Sequence, residues 1–170
     1  MVGFMGVGKS TVGALLASRL GWEFIDLDQE IEKKHNQSIR EIFVHQGEPQ
    51  FRKMETDALA SLKKRVHCVV ALGGGAFVEE NNRNLIRHLG YSIFLDCPLE
   101  IILNRCPIDE TRPLFQNRTQ LRELFAVRLP HYLTCDLRIE ISNLTPENIV
   151  DRIAQQMADL DSQSREHLLK

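Results

Sequence analysis

Gly3-Phe4-Met5-Gly6-Val7-Gly8-Lys9-Ser10 fits the pattern G-x-x-x-x-G-K-[ST] and runs directly into Thr11-Val12-Gly13-Ala14-Leu15-Leu16, a good helix opening. The chemistry is phosphate binding. Glycines let the backbone turn tightly and aim several N–H groups at phosphate oxygens, and the helix N-terminus adds a partial positive charge. In such a loop Gly3, Gly6, Val7, Gly8 and Thr11 form the cradle. Lys9 reaches the β- and γ-phosphates, and Ser10 ligates Mg²⁺. Only Met1 and Val2 precede Gly3. The strand that normally feeds a P-loop is therefore expected to be very short, or the start of the chain truncated.

Two further sets of residues bear charge in a useful pattern. In Phe24-Ile25-Asp26-Leu27-Asp28 the aspartates stand two apart at the end of a predicted strand, on one face, separated by about 6.6 Å of rise. One can hold the hydration shell of Mg²⁺ while the other orients and deprotonates a substrate hydroxyl; a capped turn with solvated carboxylates is the plainer alternative. In Gly47-Glu48-Pro49-Gln50-Phe51-Arg52-Lys53-Met54-Glu55 a helix opening at Pro49 sets Glu55 beside Arg52, either as a surface ion pair or as the brace of a guanidinium that grips a carboxylate at two points. Later, Leu121, Leu124, Phe125 and Arg128 share one helical face. A cation on an inward apolar stripe needs an anionic partner, which is either a structural carboxylate or a ligand.

The elements that must position these residues alternate. Apolar runs at Glu23 to Leu27, Val66 to Leu72, Tyr91 to Leu95 and Leu137 to Ile141 are separated by helix-like stretches, which predicts a parallel α/β sheet. The run Cys68-Val69-Val70-Ala71-Leu72 suits a strand covered on both faces. Ser38 with Glu41 reads as a capping box, Pro98 and Pro146 mark first helical turns, and Ile149, Val150, Ile153, Met157 and Leu160 recur as a core-facing stripe. Arg105 to Gln120, with two prolines and little periodicity, reads as a lid, and 161–170 as a frayed tail.

At 170 residues, 43% hydrophobic, 26% charged and net charge -2, the chain suits one soluble domain with no polybasic surface for nucleic acid or lipid. Cys68, Cys97, Cys106 and Cys135 lack any metal or redox spacing and read as reduced thiols. No signal peptide or membrane-spanning run is visible, so a cytoplasmic location is expected.

Gly-Phe-Met-Gly-Val-Gly-Lys-Ser-Thr, Asp-Leu-Asp at 26–28, Phe-Arg-Lys-Met-Glu at 51–55, Gly73-Gly74-Gly75, Thr-Arg-Pro-Leu at 111–114 and Arg-Leu-Pro-His-Tyr at 128–132 together resemble the shikimate kinase family over most of the chain. The resemblance implies an α/β, three-layer P-loop kinase fold of the nucleoside-monophosphate-kinase type. It would have a five-stranded parallel sheet flanked by helices, a substrate-binding region at about 28–60 and a lid at about 105–120, in one domain over 1–160. It implies ATP and shikimate as partners, Mg²⁺ as cofactor and a monomer. Asp28 would bind ring hydroxyls and act as base, and Arg52 and Arg128 would clamp the substrate carboxylate. Gly73, Gly74 and Gly75 would approach the substrate through their backbone. Asp26, with Ser10, would hold Mg²⁺; Lys9 and Arg112 would stabilise the transferring phosphoryl group; Arg105 and Pro146 would border the adenine.

The run ending at Leu72 carries no Walker-B aspartate, so metal binding falls to Asp26, and the lid shows no glycine hinge. A gluconate-type or nucleotide kinase would share loop and lid but needs another acceptor pocket, and Arg52, Arg128 and Asp28 favour a polyhydroxy carboxylate. A non-catalytic ATP-binding protein is disfavoured by the intact set Lys9, Ser10, Asp26, Asp28 and Arg112.

Overall fold

The computed structural model describes the backbone of residues 1–105 and 118–168, and the side chains of 1–104 and 118–160. The order is α1 Lys9–Leu20, β1 Glu23–Asp26, α2 Leu27–His35, α3 Ile39–Ser61, β2 Cys68–Ala71, α4 Glu80–Leu89, β3 Ile93–Asp96, α5 Leu99–Arg105, α6 Arg118–Tyr132, β4 Leu137–Glu140 and α7 Pro146–Leu168. Each strand falls within or at the edge of a predicted apolar run. The chain is α/β as expected, with every strand pair parallel.

Among the described residues the expected five-stranded sheet is not shown. β1 pairs with β2, and β3 with β4, as two separate two-stranded sheets. Between them stand the first two residues of the chain. The Met1 amino group donates to Val70 O at 2.6 Å and the Met1 carbonyl accepts from Leu72 N at 3.1 Å. On the other side Val2 N donates to Ile93 O at 2.7 Å, and Leu95 N donates to Val2 O at 3.0 Å. Val2 pairs with Phe94 as a single parallel bridge before Gly3 turns into the loop. Beside it a cavity of about 430 Å³ opens between β2 and β3, lined by Trp22, Leu62, Val66 and Tyr91 among others. β2 is less enclosed than its composition suggests. Cys68 and Val70 stay half-buried, while Ile93, Phe94 and Leu95 of β3 are all buried.

Local chemistry fixes the helix ends. Gly8 caps α1 at φ 102°, a left-handed conformation that glycine adopts without steric cost, and this lets the loop's N–H groups converge ahead of the helix. Ser38 and Glu41 form the predicted capping box at the start of α3. Gly47, at φ 77° and ψ 169°, breaks α3 into two segments. Pro49 then sits in the first turn of the second segment, where its missing N–H is harmless. The stripe on α7 packs as read: Ile149, Val150 and Ile153 are buried and Met157 and Leu160 lie against the core. α7 extends to Leu168, across most of the residues assigned to a tail. No helix among the described residues is long and apolar enough to cross a membrane.

Candidate active site

A cleft of about 670 Å³ opens at the carboxyl ends of β1 and β2, where ligands settle in open α/β sheets. It gathers Gly6, Gly8, Lys9, Ser10 and Thr11 from the loop and α1, Asp26 and Asp28 from the end of β1, Arg52 from α3, Gly73, Gly74 and Gly75 after β2, and Arg128 from α6. Gly3 and Val7 shape the loop without lining the cleft: Gly3 O accepts from Lys9 Nζ at 2.9 Å, and the Val7 side chain is buried. Pro146 begins α7 and is not among the lining residues. Arg112, the Arg105 side chain and most of the expected lid lie outside the described residues.

Ser10 Oγ donates to Asp26 Oδ2 at 2.6 Å, so the hydroxyl and the carboxylate converge on one point beside the loop. The other Asp26 oxygen accepts from the backbone N–H groups of Asp28 and Gln29, capping α2. That cap holds Asp26 at the helix start and turns the Asp28 side chain into the cleft. The fit to a hard divalent cation is good, because Mg²⁺ takes few protein ligands beside water and phosphate oxygens. Among the described residues there is no cluster of three or more candidate ligands, which is the pattern of a closed metal cage.

Asp28 Oδ1 and Glu55 Oε1 are the buried side-chain atoms among the described residues that lack a hydrogen-bond partner. Both face Gly73, where an added Cβ would stand 2.7 Å from each oxygen. Burial raises the Asp28 carboxyl above its ordinary range, and the charge of Asp26 adds to the effect. A carboxylate in this state is poised to take a proton rather than to sit in an ion pair.

Glu55 is fully buried and accepts from Arg52 Nη1, so the pair is not the surface ion pair weighed from the sequence. Glu48, half exposed, takes Arg52 Nε at 3.1 Å and Nη2 at 2.7 Å. Burial pushes the Glu55 carboxyl up to about 7, outweighing the opposing pull of Arg52. Between its ordinary 4.5 and about 7 the folded protein keeps a proton there that the unfolded chain releases. Stability therefore falls as pH rises through that window, by at most about 1.4 kcal/mol per pH unit. Glu55→Gln is expected to flatten the dependence of the urea midpoint on pH there; a slope equal to the parent's would refute the assignment.

Arg128 is buried on α6 with Leu121, its inward position as read from the stripe. Burial lowers its pKa, and its Nη1 lies 3.2 Å from where a Gly74 Cβ would be. Its companions are Tyr132, Arg52 and Glu55. Two cations thus share one buried carboxylate, which leaves room for a second negative charge in the cleft. The sequence reading gave no role to Tyr132, whose hydroxyl donates to Gly74 O. It also passed over Asn82, buried between α3 and the glycine turn, accepting from Thr56 Oγ1 at 2.8 Å and donating to Ala76 O at 3.0 Å. No local spacing in the sequence marks Asn82.

The family model described as "Shikimate kinase" matches residues 5–158. A shikimate kinase of Persephonella marina is 42% identical over 154 residues, covering 90% of this chain and 94% of its own length. One of Cereibacter sphaeroides is 42% identical over 161 residues, covering 93% and 81%. Among solved structures, the shikimate kinase of Acinetobacter baumannii in complex with shikimate superposes with a TM-score of 0.88 at 38% identity, over 93% of this chain and 90% of that one. A gluconokinase of Sinorhizobium meliloti superposes with a TM-score of 0.62 at 17% identity, over 96% and 94%, a likeness of fold alone. The fold is thus the α/β P-loop kinase fold of these structures.

Proposed function

The chain belongs to the shikimate kinase family, and from that membership we propose that it transfers the γ-phosphoryl group of ATP to the 3-hydroxyl of shikimate, giving shikimate 3-phosphate and ADP in aromatic amino-acid biosynthesis. The observation that carries the reading is the meeting, around Gly73–Gly75, of one unpartnered carboxylate oxygen of Asp28 with the guanidinium heads of Arg52 and Arg128, beside the Lys9–Ser10 loop. A hydroxyl to be activated and a carboxylate to be held at a fixed distance are what such a site accommodates.

In the proposed mechanism the loop N–H groups and Lys9 hold the phosphates. Ser10 and Asp26 would hold Mg²⁺, which would supply positive charge against the phosphate oxygens. Arg52 and Arg128 grip the acceptor carboxylate. Glu48, half exposed, occupies the Nε–Nη2 edge that this carboxylate needs, and it yields readily because exposed pairs are worth only about 0–1 kcal/mol. Glu55, buried, stays and orients the guanidinium. Asp28 Oδ1 accepts the acceptor's hydroxyl proton as the oxygen attacks phosphorus. Little covalent work falls to the protein beyond this, so positioning and cations do most of the catalysis. Arg112 supplies a further cation from the proposed lid, and Arg105 and Pro146 border the adenine. The proposed working form is a cytoplasmic monomer.

The test is ADP release from ATP and Mg²⁺ with shikimate, gluconate and nucleoside monophosphates offered separately. Turnover with shikimate alone is expected. Turnover with gluconate or a nucleotide instead would keep the fold and overturn the acceptor assignment, and ATP binding without turnover on any acceptor would leave a nucleotide-binding protein.

A further inference from the structure

We infer that Tyr132 is a positioning residue that ties the carboxylate clamp to the phosphate loop through Gly74. Tyr132 is fully buried at the end of α6, one turn after Arg128, its ring tilted against Phe94 of β3 with centroids 5.3 Å apart. Its hydroxyl donates to Gly74 O, and the Arg128 guanidinium is near enough to act on the phenol's charge. Gly74 is a narrow place. A Cβ there would meet Arg128 Nη1 at 3.2 Å on one side and, on the other, Met5 N at 3.4 Å and Gly3 O at 3.7 Å, which are backbone atoms of the phosphate loop. One phenol therefore fixes the carbonyl of Gly74, the residue that Arg128 leans over. Tyr132 is not among the residues that line the cleft, so it acts through these neighbours.

The inference rests on the proposed reading of Arg128 as a carboxylate holder, and the parent enzyme's turnover with shikimate checks that reading first. Tyr132→Phe keeps the ring against Phe94 and leaves the Gly74 carbonyl without its donor. It should raise KM for shikimate by about ten-fold, the scale of one orphaned buried acceptor, with kcat and KM for ATP changing by less than about three-fold. Phe94→Leu, which loosens the same ring packing but spares the hydroxyl, should lower Tm and leave KM for shikimate near the parent value. If Tyr132→Phe instead moves neither KM, or lowers Tm and alters both KM values together as a packing lesion would, the positioning role fails.

A second measurement does not depend on that variant folding. The chain has two tyrosines, and Tyr91 is half exposed. Replacing both with 3-fluorotyrosine gives two ¹⁹F lines. The line of the buried ring should shift on saturation with shikimate, and its indifference would overturn the inference.

Discussion

Asp28→Asn is expected to fold with a Tm equal to or above the parent's and to lose turnover by about 10²–10⁴-fold, the range of a removed general base. The two effects have one cause. The Asp28 carboxyl is largely buried, one oxygen has no partner, and burial together with Asp26 raises its pKa. A folded state that resists ionising this group is destabilised by it at neutral pH, and a neutral amide of the same shape relieves the cost. Asparagine still accepts a hydrogen bond from a hydroxyl but cannot take its proton, so KM for shikimate should change by only a few-fold while kcat collapses. The loop around Lys9 is untouched, and ATP should bind as before. Measured kcat within about three-fold of the parent would remove Asp28 from the proton transfer, and a fall in Tm would show the carboxylate to be structural instead.

The phosphate loop, the alternation of strand and helix, the Ser38–Glu41 box and the inward face of α6 were legible in the sequence because each depends on local spacing. G-x-x-x-x-G-K-S is a backbone geometry written as residues, and a single cation, Arg128, on an apolar stripe has to find company when it is buried. The sheet was legible only in part. Met1-Val2 bonds to β2 on one side and to β3 on the other, and how far such pairing extends is not written in its composition. What escaped altogether were contacts between distant segments. Glu55 was read as a brace for Arg52, yet its fully buried setting and its unpartnered oxygen facing Gly73 depend on how α3 lies over the turn after β2. Asn82 stands in no motif, and Tyr132 closes Arg-Leu-Pro-His-Tyr without a role that the motif's spacing reveals. Their roles arise because Tyr132 of α6 and Asn82 of α4, itself bonded to Thr56 of α3, reach carbonyls of the same segment between β2 and α4, and no periodicity reports that.

That turn also makes the clearest steric test of the clamp. Gly75 has φ -97° and ψ -22°, a conformation open to any residue, so Gly75→Ala carries no backbone strain and, by restricting the unfolded chain, should be neutral or slightly stabilising apart from what its methyl touches. The methyl, however, would stand 2.5 Å from Arg52 Nη1 and 2.6 Å from Cζ and Nη2. The guanidinium must move, and Glu55, fixed and buried, resists the movement from one side while half-exposed Glu48 lets it go on the other. The head should swing outward, toward solvent and away from Arg128, opening the two-point grip. Misplacing one member of a buried charge pair costs about 2–5 kcal/mol, so KM for shikimate should rise by about 10²-fold with KM for ATP unchanged. Arg52→Met in the same background should then add little, because the lost contact is already lost, and this non-additivity separates a displaced clamp from a general weakening of the site. A KM for shikimate within two-fold of the parent in Gly75→Ala would mean that the carboxylate is held by Arg128 without Arg52.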